Sequence, residues 1–168
     1  MKLGRKIKII KSKILYFLIK NINLKIYNFI ILQLAKNKFL KSINSTKIIL
    51  SKSKKLDKIN SHEYKITSQN NEDGIINYLK TNITNPDHIF FEIGFDFNEF
   101  NSLNLIKEDW SGTLIDGDQI KCDKLKVCIK KYFKSKKVNI YNNFITYENI
   151  NKIIANSIIK KNFDFFSL

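Results

Sequence analysis

Glu92 and Gly94 follow an apolar run, Ile89-Phe90-Phe91, and Asp116 follows another, Thr113-Leu114-Ile115. A strand that ends in acid-x-Gly is where α/β folds place a ligand, at the carboxyl edge of a central strand. Gly94 lets backbone approach that ligand closely. Asp116 comes about 20 residues later, the separation at which doubly wound nucleotide-binding folds hold two ribose hydroxyls. A carboxylate suits this task, because when ionised it only accepts hydrogen bonds and takes both O–H donors at once. The loop after Gly94 reads Phe95-Asp96-Phe97-Asn98 and is not GxGxxG. A pyrophosphate needs closely approaching backbone N–H groups. This loop offers side chains and an acid instead, which argues against NAD or FAD and leaves a nucleoside ligand without phosphates.

Other residue types add no second chemistry. Cys122 and Cys128 form no CxxC and belong to no Cys/His set, so neither metal nor redox chemistry is indicated. On a helix they fall on different faces. His62 and His88 have no partner at metal-ligand spacing. The plainer reading of Glu92 is a turn or helix-capping acid, and that of Asp116 an Asp-Gly turn. Glu72 and Asp73 read as first-turn acids that complement a helix dipole.

The elements that must hold these residues alternate along the chain. Residues 1–50 form a basic, apolar helical segment, with apolar pieces at 14–19 and 26–35 interrupted by Lys20, Lys25 and Lys36. Neither piece reaches the ~20 residues of a membrane-spanning helix, and no small-x-small cleavage site follows Ile19. Residues 51–67 read as a polar, lysine-rich linker. From Ser68 onward the pattern predicts helices at 68–80, 98–108, 119–133 and 147–159. Strands are predicted from Ile89, over 113–118, over 137–143 and over 162–168. Such alternation predicts a parallel sheet with helices on both faces.

The chain has 168 residues, 30 Lys+Arg against 15 Asp+Glu, and a formal net charge of +15. At 43% hydrophobic residues it is globular rather than disordered. The charge suits nucleic acid, anionic lipid or an anionic substrate. The weightier explanation is the bias toward Lys, Ile and Asn that an AT-rich genome writes at loosely constrained positions. No aromatic residues interleave with Lys52, Lys54, Lys55 and Lys58, as a single-strand nucleic-acid groove would require. Nucleic acid is therefore the weaker partner. The expected location is cytoplasmic. Residues 1–50 either cover the core, the favoured role, or lie on an anionic membrane surface.

Five blocks carry a family resemblance: 68–76, 91–102, 110–118, 144–151 and 163–168. They read SQNNEDGII, FEIGFDFNEFNS, WSGTLIDGD, FITYENIN and FDFFSL. In this order they resemble successive blocks of an FkbM-type S-adenosylmethionine-dependent methyltransferase, over residues 62 to 168. The resemblance implies a class I methyltransferase fold. This chain would supply a partial Rossmann-like parallel sheet, its first four strands with flanking helices, preceded by an N-terminal helical segment. It implies S-adenosylmethionine as cofactor, with Glu92, Gly94 and Asp96 at the methionine end, Asp116 on the ribose, and Asn143 and Phe144 near the adenine. It also implies methyl transfer to a sugar, another small hydroxyl or a polysaccharide-linked hydroxyl. Family members carry a further glycine between the positions of Phe95 and Asp96, which this chain lacks. They also continue past the fourth strand with an acidic segment, whereas this chain ends at Leu168. The expectation is the cofactor-binding part of such an enzyme, with weak cofactor binding and no assignable catalytic residue. The alternative is a non-catalytic basic protein on nucleic acid or an anionic membrane surface.

Overall fold

The computed structural model describes residues 24–45, 48–49, 59–134, 137–156 and 162–168. Its elements are α1 (Leu24–Ile43), β1 (Ile48–Ile49), a 3-10 turn (Ile59–His62), β2 (Tyr64–Lys65), α2 (Glu72–Thr81), β3 (Ile89–Ile93) and α3 (Ser102–Lys107). Then follow β4 (Ser111–Asp116), α4 (Gln119–Tyr132), β5 (Val138–Asn142), α5 (Ile150–Asn156) and β6 (Phe165–Ser167). The chain is α/β, with a parallel sheet in the order β5-β4-β3-β6. This is the expected partial Rossmann-like arrangement, with helices around the sheet and a helix before it. The crossover that carries β6 back beside β3, rather than onward past β5, makes β3 central.

Register follows from the apolar runs. Ile89 lies opposite Ser111, Phe90 opposite both Gly112 and Phe165, and Gly112 opposite Val138. One face of the sheet presents Phe90, Leu114 and Ile140 to the main core. Leu103, Leu105 and Ile106 of α3 and Cys122, Leu125, Cys128 and Ile129 of α4 belong to that same core. On the other face Phe91, Thr113 and Ile115 are buried. There the ring of Phe91 stacks on Phe163 at 6.0 Å and on Phe166 at 5.7 Å.

Residues Tyr27, Ile31, Ala35 and Phe39 recur every four positions and form the buried stripe of α1. The ring of Phe39 meets Tyr132 at 5.9 Å and Phe133 at 6.3 Å. The Tyr27 hydroxyl donates to Asp123 of α4 at 2.6 Å. Thus α1 covers the core, as favoured for residues 1–50; the apolar piece at 14–19 lies outside the described residues. The structure also revises part of the linker. Residues 59–62 are exposed, as a solvated loop would be, but 64–67 are packed: β2 pairs antiparallel with β1, and Thr67 is buried. Residues 51–58 lie outside the described residues.

Three helices, α2, α3 and α5, begin later than their pattern suggests, and the first two show a physical reason. Before α2, the Asp73 carboxylate turns back and accepts from the N–H groups of Ile66, Thr67 and Ser68, each at 2.7 Å. Ser68 Oγ in return accepts the Asp73 N–H at 3.2 Å. Residues 66–71 are consumed in this reciprocal cap, so Asp73 organises a loop as well as complementing a dipole. Before α3, residues 95–100 bury Phe95, Phe97 and Phe100 as a loop. Phe39→Ala is expected to lower unfolding free energy by about 3–5 kcal/mol, since it empties a fully buried site. Lys38→Ala, its exposed neighbour, is expected to change it by less than about 0.5 kcal/mol. Urea denaturation of the two variants checks both values.

Candidate functional site

In a parallel sheet every strand leaves by the same edge, so β3, β4 and β5 end together, with Ile93 opposite Ile115 and Asp116 opposite Asn142. Gly94, Gly117 and Asn143 begin the loops there. Gly94 has φ +76°, a left-handed conformation that L side chains rarely adopt. Its N–H donates to the Ile115 carbonyl at 2.7 Å, which ties the first loop to the end of β4. A Cβ at Gly94 would meet nothing within 4 Å, so the space beside it is open.

Asp116 joins the two loops. Its Oδ2 accepts from the Phe95 N–H at 3.2 Å and its Oδ1 from the Asp118 N–H at 2.7 Å. Lys121 Nζ stands 3.6 Å from Oδ2 and donates to the Phe95 carbonyl at 3.1 Å. The Asp116 carbonyl accepts from Asn142 Nδ2 at 3.0 Å and from the Asn143 N–H at 3.1 Å. Phe144 is 79% exposed. Its ring lies so close to Gly117 that a Cβ there would come within 2.5 Å of it. Gly117 is thus a close-approach glycine that lets an open aromatic face stand beside Asp116. Asp118 begins α4 as its N-cap, accepting from Ile120 N–H at 2.8 Å.

Glu92 lies beneath this edge and faces inward. It is buried on β3, and its carboxylate accepts from the Asn101 N–H at 3.0 Å, the Ser102 N–H at 2.8 Å and the Ser102 hydroxyl. These N–H groups open α3, so Glu92 caps that helix from the central strand. Burial pushes its carboxyl above the ordinary value, and the Ser102 and Asn101 hydrogen bonds oppose that push. Asp96 is exposed and accepts the Phe97 N–H at 2.8 Å. Gly94, Asp116, Asn143 and Phe144 therefore gather at one edge, Asp96 stands in the loop above it, and Glu92 supports the loop from below.

The loop N–H groups bear on ligand type. Those of Phe95, Phe97, Asn101 and Ser102 already have carboxylate partners. The loop does not present them to a pyrophosphate. Any donor that bonds the Asp116 Oδ2 would exchange with the Phe95 N–H and Lys121. The thiols offer no nucleophile here: burial pushes Cys122 up to about 11 and Cys128 up to about 12, so both stay neutral near pH 7. Both are free and buried. Among the described residues no group of three His, Cys, Asp or Glu is placed to hold a metal ion. Lys121, Asn142 and Gly117 are absent from the sequence-level site. Lys121 carried one legible signal, its place in the first turn of a helix that closely follows Asp116.

No family model, no curated protein and no solved structure matches the chain.

Two outcomes test the loop. Gly94→Ala is expected to cost about 1–2 kcal/mol from backbone conformation alone, because the added methyl has room. Equilibrium unfolding measures it. The raised value of Glu92 makes its contribution fully present below the ordinary glutamate range and lost as pH rises through the folded value. The stability of the native chain relative to Glu92→Gln is therefore expected to fall across that window. A difference that stays flat with pH, in urea titrations at successive pH values, contradicts the assignment.

Proposed function

We propose that this chain carries the cofactor-binding part of a class I, FkbM-type S-adenosylmethionine-dependent methyltransferase. One observation carries the reading. The sheet order β5-β4-β3-β6 puts the Gly94 loop of the central strand beside the acid that ends the next strand. The residues present fit a nucleoside cofactor without phosphates. Asp116 would take the ribose hydroxyls. The exposed Phe144 ring, with Asn143, would take the adenine. The open space at Gly94, with Asp96, would take the methionine end. Glu92 would act by holding the loop, since its oxygens are engaged by Asn101 and Ser102.

The bound cofactor would supply an electrophilic methyl group to an acceptor hydroxyl, of a sugar, another small molecule or a polysaccharide-linked unit. The chain's own contribution would be orientation, which holds the reacting partners in line. No described residue is assigned as the base that takes the hydroxyl proton.

Calorimetric titration with S-adenosylmethionine tests the reading. Saturable heat is expected, with a dissociation constant of about 10 μM to 1 mM. Phe144→Ala is expected to weaken binding by about tenfold, the scale of one lost aromatic stack, without unfolding the chain, because that ring is exposed. Asp116→Ala is expected to abolish it. Absence of saturable heat at millimolar cofactor would sink the proposal.

A further inference from the structure

The second feature that invites a ligand lies away from the sheet edge, where α1 crosses α4. An amphipathic helix with one buried stripe should show polar residues on its opposite side. The exposed side of α1 carries polar residues such as Lys25, Gln33 and Lys36, but sets large apolar ones among them. Ile26 is 51% exposed, Phe29 62% and Leu34 53%. Ile26, Phe29 and Ile30 are neighbours at helical spacing, so the apolar surface is continuous.

Lysines frame it. Phe29, Leu32 and Val127 line a groove of about 350 Å³ whose other walls are Asn28, Lys130, Lys131 and Lys134. An adjoining groove of about 430 Å³ shares Lys130 and Lys134, and is completed by Lys126 and the apolar side chains of Ile129, Phe133, Val138 and Ile140. No acid lines either groove. Among the described residues the ion pairs involve Lys65, Lys80 and Lys121, not these four lysines. Ammonium groups gathered around apolar side chains, without carboxylates between them, repel one another until an anion sits among them.

We propose that this face docks on an anionic lipid bilayer. Ile26, Phe29 and Leu32 enter the boundary between headgroups and acyl chains, while Lys126, Lys130, Lys131 and Lys134 meet lipid phosphates and carboxylates. The mixture of side chains favours lipid over nucleic acid. A nucleic-acid surface is built on aromatic rings on which bases stack, whereas here the rings of Phe29 and Phe133 are outnumbered by Leu32, Val127, Ile129, Val138 and Ile140, which have no flat face to offer. These aliphatic groups gain free energy in the bilayer interface, and the lysines add attraction to anionic lipid. The docking stands apart from the cofactor reading and does not rest on it.

Flotation of the full chain with vesicles provides the test. Vesicles of phosphatidylcholine with phosphatidylserine are expected to carry the protein, and vesicles of phosphatidylcholine alone are not. Added salt is expected to weaken the association. Replacing Lys130, Lys131 and Lys134 together by alanine is expected to lower affinity for the anionic vesicles roughly a hundredfold. Phe29→Ser is expected to lower it by about tenfold or more, the scale of one apolar side chain left in water. All these positions are exposed, and unchanged thermal melts followed by circular dichroism show that the variants fold. Equal binding to neutral vesicles, no binding to anionic ones, or full binding by Phe29→Ser overturns the proposal. So does binding to duplex DNA that the lysine variant loses while vesicles fail to bind, which makes the face a nucleic-acid surface. A dimer that Phe29→Ser dissolves, without vesicle binding, overturns it in favour of a second copy of the chain.

Discussion

β3 has a strand on each side and buries its three middle side chains, and one of those is an acid. Phe90 and Phe91 suit that position, but Glu92 does not unless donors meet it. The structure supplies them from the start of α3, through Asn101 and Ser102. That one arrangement decides where α3 begins and how the Gly94 loop returns to the sheet. Asn101 in turn donates from its side chain to Ser167 at 3.0 Å, so the capped loop also contacts β6. With the buried carboxylate unmet, the loop between β3 and α3 would have no fixed end.

The loop gains its second anchor from aromatic side chains. Phe95, Phe97 and Phe100 are buried, with the rings of Phe95 and Phe100 5.9 Å apart. The chain puts bulk beneath this loop and leaves one left-handed position in it, at Gly94. Asp116 then locks the loop to β4 through the Phe95 N–H, and Lys121 neutralises part of its charge. The carboxyl edge is thus an electrostatically closed arrangement of loop, acid and lysine, beside which the Phe144 ring stands open. A nucleoside ligand would compete with internal partners of Asp116 rather than enter a vacant site, which accounts for expecting weak affinity.

Much of the fold was legible because its signals are local. The apolar runs at 89–93 and 113–116 and the Asp118 cap of α4 lie within single stretches of chain, so strand ends and that helix start could be read within a few residues. The beginnings of α2 and α3 could not. In both cases an acid bonds to N–H groups outside its own turn: Asp73 to residues 66–68, and Glu92 to residues 101 and 102. Such bonds leave no periodicity behind. The packed state of residues 64–67 was hidden for the same reason, since Thr67 and Ser68 look polar until their partner Asp73 is seen.

The sequence by itself determined the alternating parallel α/β order and the acid-x-Gly end of the central strand. It also determined the spacing that sets Asp116 at the end of the next strand. Periodicity of 2 and 3.6 and the conformational demands of glycine act over a few residues and need no tertiary knowledge. Only the tertiary structure decided what each acid does. Asp116 stands at the carboxyl edge of the sheet and links two loops, whereas Glu92, also an acid and two residues before its glycine, turns inward to hold a helix. It also decided that α1 buries one apolar stripe and leaves another exposed among lysines. Both outcomes depend on which donors, and which helices, arrive from distant parts of the chain.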